Sequence, residues 1–163
     1  MRKRGLAPLL DDGIETLVLG SFPSVASLKA QEYYAHPQNH FWKIMAALTR
    51  RPLDRMAYLE RVAAVLALRI GVWDVIAACE REGSGDDRIE NAKLNDFSRF
   101  AAGAPRLKRV CFNGQAAAKL GVPVFAGKPY QLCVLPSSSP RNARMPLVEK
   151  VRLWSEALSA GRR

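Results

Sequence analysis

Residues 17–45, LVLGSFPSVASLKAQEYYAHPQNHFWKIM, decide how the rest of the chain is read. The segment opens inside a short apolar run, 16–19, long enough for a strand buried on both faces. That run stops at Gly20-Ser21-Phe22-Pro23-Ser24, where small residues and a proline turn the chain out of the strand. Ser24 or Ser27 then offers a hydroxyl to cap a helix running to about Tyr34, and Pro37 blocks its continuation. A second helix is expected from about Asn39, with Phe41, Trp42, Ile44, Met45 and Leu48 mostly on its apolar side. Between the two lie Tyr33-Tyr34 and His36-Pro37-Gln38-Asn39-His40-Phe41-Trp42, which set hydrogen-bonding side chains beside flat rings. A core segment does not need that mixture, whereas a pocket for a planar, polar ligand does.

The pattern of a short apolar run with a polar end recurs along the chain. Residues 70–73 end at Asp74, residues 109–112 at Asn113-Gly114, and residues 132–135 at Pro136-Ser137-Ser138-Ser139-Pro140-Arg141-Asn142. Helical segments separate these strands. Residues 51–69 place Met56, Leu59, Val62, Ala63, Leu66 and Leu68 near helical spacing, and residues 75–82 read as a short helix. Residues 95–101 look helical and close at Gly103-Ala104-Pro105, while 115–120 form a helix that Gly121 terminates. The last helix, 146–158, starts on a proline and carries Val148, Val151, Leu153, Trp154 and Leu158 as its stripe; Arg162-Arg163 trails after it. Residues 83–87 read as a loop and 1–12 as a basic lead-in.

Strands alternating with helices predict an α/β fold, a small, mainly parallel four-stranded sheet between helices in three αβα layers, with 1–163 as one domain. Ligands of such sheets bind outside the carboxyl ends of the strands. Gly20-Ser21, Asp74, Asn113 and Ser137 are therefore expected to converge on one site.

Composition narrows the class. The chain has 163 residues, 48% of them hydrophobic, enough for a core without staples. No apolar run reaches the length of a membrane span, and MRKRGLAPLL lacks the sustained apolar core of a signal peptide. Cys79, Cys111 and Cys133 are scattered, without metal spacing or a disulfide framework, which points to a reducing, cytoplasmic setting. The two histidines alone make no three-ligand metal site, so no metal is expected. The 25 Lys and Arg against 15 Asp and Glu leave a net charge of +10, the footprint of a protein that meets phosphate or another polyanion. A generally basic surface is the plain alternative. There is no glycine-rich nucleotide loop and no GxSxG nucleophile elbow.

Individual residues carry paired readings. The Asn113 amide offers a donor and an acceptor together and can read a base edge, yet Asn-Gly is also a favoured turn. Asn39 stands just before Phe41, so one helix start supplies an amide and a ring; Asn is also a preferred N-cap, and the two roles are compatible. His36 and His40 either take part in catalysis or bond backbone carbonyls. Residues 137–141 form a hydroxyl-rich loop with a cation at its end, suited to a phosphodiester or simply to a turn.

The blocks GSFPSVASL, YYAHPQNHFW, GVWDVI followed by CEREGSGD, FNG at Phe112-Asn113-Gly114, and LPSSSPRNAR resemble, in this order, the uracil-DNA glycosylase superfamily. The resemblance is closest to its hypoxanthine-DNA (deoxyinosine) glycosylase branch and spans nearly the whole chain, with YYAHPQNHFW its most specific block. It implies hydrolysis of the N-glycosidic bond of a deaminated base flipped out of DNA, without a cofactor. Phe22 stands where the wider superfamily places a catalytic Asp or Asn, so the resemblance assigns the catalytic amide to Asn39. Leu135 stands where classical uracil enzymes begin a motif with His, which favours a purine such as hypoxanthine; uracil or a broader set of deaminated bases is the alternative. Three cysteines cannot reproduce the four-cysteine iron–sulfur site of some relatives.

The same resemblance implies that Phe41 stacks on the base, that Gly20, Ser21 and Phe22 enclose it, and that Asn113 bonds its edge. Asp74 assists at the pocket edge, stabilises cationic character on the sugar, or caps a helix. Ser24, Ser137, Ser138, Ser139, Pro140 and Arg141 are expected to hold the DNA backbone. The expected partner is DNA carrying a deaminated base, met by a monomer. A non-catalytic DNA-binding relative and a nucleoside or nucleotide hydrolase are the readings that compete with this one.

Overall fold

The computed structural model describes residues 1–98 and 100–159. In chain order the elements are β1 (Arg2–Arg4), β2 (Thr16–Gly20), α1 (Val25–Ala30), α2 (Phe41–Thr49), α3 (Tyr58–Ala67), β3 (Ile70–Asp74), β4 (Ile76–Glu80), β5 (Glu90–Leu94), α4 (Phe100–Gly103), β6 (Arg109–Asn113), α5 (Gln115–Phe125), β7 (Gln131–Leu135) and α6 (Leu147–Ser159).

Every residue of β2 is buried. The strand pairs in parallel with β3 on one side and β6 on the other, and β7 adds in parallel outside β6, so the four-stranded sheet runs β3-β2-β6-β7. Alternate side chains point to opposite faces. Val18 joins Phe41, Trp42, Met45, Val65 and Trp154 from α2, α3 and α6. Leu17 and Leu19 join Phe112, Ala117, Ala118 and Phe125 on the α5 side. Helices thus cover both faces in the expected αβα layers. A strand covered twice has no polar side, which is why it reads as an unbroken apolar run.

The chain departs from expectation beside this sheet. Residues 75–82 are not a helix: β4 pairs antiparallel with β1 and β5 in a second, three-stranded sheet ordered β1-β4-β5. Local alanine content favours helix there, but Arg2, Lys3 and Arg4 pair with Glu80, Cys79 and Ala78, and such distant partners override propensity. β1 comes from the basic lead-in, and β5 precedes the helix expected at 95–101. That helix is confined to α4, and the expectation spans Arg99, which lies outside the described residues, as does Arg162-Arg163. Since no helix follows β3, Asp74 is not a helix cap.

Helix ends also moved. α1 is capped by Ser24, whose hydroxyl accepts from the Ser27 N–H at 3.1 Å, but it stops well before Tyr34 because Gln31 turns left-handed at φ 56°. A 3-10 turn, Leu53–Arg55, precedes α3 where one long helix was expected. α5 runs through Gly121 and Pro123 to Phe125. Gly121 is there for contact rather than termination: a Cβ would collide with the Phe112 ring.

Candidate active site

The carboxyl ends of the parallel strands open on a cavity of about 290 Å³. The turn after β2 brings Gly20, Ser21, Phe22 and Ser24; β3 brings Asp74 and β6 brings Asn113. The α1–α2 connection adds Tyr34, His36 and Asn39, and the turn after β7 adds Ser137, Ser138, Ser139, Pro140 and Arg141. Ser84 and Asp86 reach in from the β4–β5 connection. Of the candidate residues singled out from the sequence, Phe41 and His40 do not line the cavity.

Phe41 is fully buried and stacks against Tyr34. Of this stacked pair it is Tyr34 that lines the cavity, beside Phe22 and Tyr33, and its backbone is left-handed at φ 54°. Extending α1 through Tyr34 is what hid this residue: a helical Tyr34 would point elsewhere. Burial, with the nearby Asp74 charge, holds its phenol well above the usual range, so it stays protonated. Its oxygen accepts a hydrogen bond from Asn113 Nδ2 at 3.2 Å.

Asn113 is also locked to the turn after β7. Its Nδ2 donates to Ser138 Oγ at 2.9 Å, and its Oδ1 accepts from the Ser138 N–H at 2.9 Å. Both amide donors are therefore committed, while Oδ1 keeps one lone pair. Gly114 follows because its φ is 93° and a Cβ there would lie 2.9 Å from Ser137 Cβ. Further bonds hold the serine turn: Asn142 Nδ2 donates to Ser137 O at 3.1 Å, and Trp154 Nε1 donates to Pro136 O at 2.9 Å. At the rim, Arg141 Nη1 meets Asp87 Oδ1 at 2.9 Å, both side chains largely exposed. An exposed pair of this kind contributes about 0–1 kcal/mol, so a phosphate can displace Asp87 readily.

Asn39 sits at the start of α2, where its Oδ1 accepts from the Phe41 N–H at 2.9 Å. This fixes the amide and leaves Nδ2 without a partner among the described residues. His36 lines the cavity, and its Nδ1 accepts from the Gln38 N–H at 3.1 Å. His40 lies behind, with its N–H on Ser138 O at 2.9 Å and its Nδ1 3.2 Å from the Nζ of buried Lys150. Burial, then the Lys150 and Lys43 charges, push the His40 imidazole below its ordinary value.

Asp74 is the most perturbed acid at the site. It is 4% exposed, and burial raises its pKa to about 7, helped by Asp86 and opposed by Arg81. Its Oδ2 is sealed from solvent and has no hydrogen-bond partner among the described residues. Oδ1 lies over Gly20, where a Cβ would come within 2.5 Å of it. Asp86 accepts from Ser21 Oγ at 2.6 Å. Arg81, buried at the end of β4, donates to Pro23 O at 2.5 Å and Gly83 O at 2.9 Å and stands 5.0 Å from the Phe22 ring centroid. It ties the turn after β2 to the β4–β5 connection. The signal for both lay in CEREGSGD, but one arginine in a basic chain is not distinguishable without its contacts.

Among the described residues, no group of three or more His, Cys, Asp or Glu gathers to hold a metal, and no helix is long and apolar enough to cross a membrane.

The family model of the uracil DNA glycosylase superfamily matches residues 7–158. A hypoxanthine DNA glycosylase of Methanosarcina acetivorans is 42% identical over 144 residues, covering 88% of this chain and 90% of the relative. A protein of the same name from Methanosarcina barkeri is 36% identical over 157 residues, covering 96% and 98%. The solution NMR structure of a Methanosarcina acetivorans protein provisionally named a uracil DNA glycosylase superposes with a TM-score of 0.87, at 37% identity and 100% coverage of both chains. On the extent of these matches, the chain belongs to the uracil DNA glycosylase superfamily.

Proposed function

We propose that this protein is a monofunctional DNA glycosylase that takes a deaminated purine, hypoxanthine first, out of the DNA stack and hydrolyses its N-glycosidic bond. The whole chain acts as one domain and, as a monomer, leaves an abasic site. The observation that carries the reading is the convergence of a ring, two amides and a buried carboxyl on one cavity in a chain of net charge +10. The relatives named hypoxanthine DNA glycosylase support the same substrate class.

The chemistry follows from the parts. Extruding a base costs a few kcal/mol, least for a poorly paired one such as hypoxanthine. The base stacks on Tyr34, backed by Phe41. The remaining lone pair of Asn113 Oδ1 accepts a hydrogen bond from the base. Deamination turns the N1 of adenine from an acceptor into an N–H donor, so an acceptor at this point favours hypoxanthine over adenine. Asn39 is too weak a base to deprotonate water. Its free Nδ2 orients the attacking water or donates to the leaving base as negative charge develops on it, so its contribution is position and electrostatics. Ser24 and the turn Ser137 to Arg141 grip the flanking phosphates.

The test is release of free base from duplexes carrying hypoxanthine, uracil or xanthine. Hypoxanthine release with an alkali-labile abasic product is expected. Binding of all three without release of any base would leave a non-catalytic DNA-binding relative instead.

A further inference from the structure

We propose that Asp74 is the general acid of the excision reaction, entering it as a neutral carboxylic acid and giving its proton to a ring nitrogen of the departing purine. The inference rests on the functional reading above and goes beyond it, because enclosing a base needs no proton donor.

The geometry of the carboxyl carries the argument. A carboxylate is a poor tenant of a dry site unless its oxygens are hydrogen-bonded. Asp74 is 4% exposed, and its Oδ2 has neither solvent nor a partner among the described residues. Asp74 lines the cavity and its Oδ2 is sealed, so Oδ1, which lies over Gly20, is the oxygen left to it. A neutral acid suits this arrangement, with its O–H directed outward from Oδ1 and Oδ2 as the unpartnered carbonyl.

The charged and titratable neighbours come from every side. Asp86, from the β4–β5 connection, disfavours the ionised form, and Arg81, from the end of β4, favours it. Tyr33 and Tyr34, from the α1–α2 connection, are both held protonated by burial and by Asp74. The balance leaves the acid titrating at about 7, where a proton donor is both populated and willing. No other acid lining the cavity is buried: Asp86 is exposed and already accepts from Ser21.

The step balances as a hydrolysis. The C1′–N9 bond breaks with its electron pair passing into the purine. The Asp74 proton neutralises the base at a ring nitrogen, and water adds its oxygen to C1′ while losing a proton to solvent. The Asp74 carboxylate then takes a proton back from solvent.

Single-turnover excision from an inosine duplex, followed across pH for the native protein and Asp74→Asn, tests the inference. The native rate is expected to fall about tenfold per pH unit above about pH 7, as the acid form is lost. Asp74→Asn is expected to be about 10²–10⁴-fold slower and flat over that range, with lesion-DNA affinity kept and the melting temperature no lower than that of the native protein. A variant within about threefold of the native rate, or one that keeps the alkaline fall, overturns the role of Asp74 while leaving the glycosylase reading intact. If the native protein releases no hypoxanthine, the functional reading itself fails and takes the inference with it.

Discussion

The face of Phe41 lies against the back of Tyr34, their ring centroids 4.1 Å apart and their planes 24° from parallel. Two rings that the sequence placed in one stretch thus divide the work, one facing the cavity and the other fixing it from the core. Tyr34→Ala is expected to weaken binding of lesion DNA by about 1–3 kcal/mol, the value of one base–aromatic stack. Phe41→Ala empties a fully buried position and should lower stability by about 3–5 kcal/mol. Binding titrations and urea denaturation of both variants separate the roles; equal effects on both readouts would contradict the division.

Asn39→Ala removes the amide that faces the cavity and the acceptor for the Phe41 N–H. Excision is expected to fall by about 10²–10³-fold with DNA binding retained. Stability should drop by about 1 kcal/mol through the lost hydrogen bond to the first N–H of α2. Near-normal turnover would remove Asn39 from the catalytic role.

Gly20→Ala is small in volume but badly placed, since its Cβ meets Asp74 Oδ1 at 2.5 Å and the Tyr34 oxygen at 3.1 Å. The expected cost is about 1–3 kcal/mol of stability together with loss of excision. Shortening Asp74 in the same chain should recover part of the stability and none of the activity, a coupling that a double-mutant cycle measures.

Burial raises Asp74 from 3.8 to about 7, so the unfolded chain ionises at lower pH than the folded one. Between those values the folded state binds more protons, and stability falls as pH rises; the contribution is complete below the lower value and lost above the upper one. The loss is at most roughly 4 kcal/mol. Asp74→Asn should therefore be more stable than the native protein at about pH 8, with the difference shrinking toward about pH 4. Urea unfolding at the two pH values decides it, and an unchanged gap would show that Asp74 is not buried in this state.

Arg141→Ala tests the rim. The exposed pair with Asp87 contributes little, so stability should stay within about 0.5 kcal/mol. If Arg141 holds a phosphate, the slope of log affinity against log salt should shrink by about one, uniformly across DNA sequences. An unchanged slope would place the phosphate grip elsewhere.

Much of the fold was legible because its signals are local. The apolar runs behind β2, β3 and β6 are buried on both faces, β7 adds as a largely exposed edge strand, and the polar residues ending all four gather where parallel strands end together. The second sheet was not legible: β4 is formed from residues with helix-favouring composition, and its partner β1 is a run of Arg and Lys without an apolar face.

By itself the sequence determined which residues stand at the strand ends, and hence that Gly20, Asp74, Asn113 and Ser137 share one cavity. That follows from the pattern of apolar runs and turns, which depends on neighbours in the chain. Only the tertiary structure decided that Tyr34 rather than Phe41 faces the cavity. Only it showed that Asn113 is bound to Ser138, and that Asp74 is buried with one oxygen unpartnered among the described residues. Backbone handedness at Tyr34, hydrogen bonds across the sheet edge and exclusion of water are set by groups far apart in sequence, and so appear only once the chain has packed.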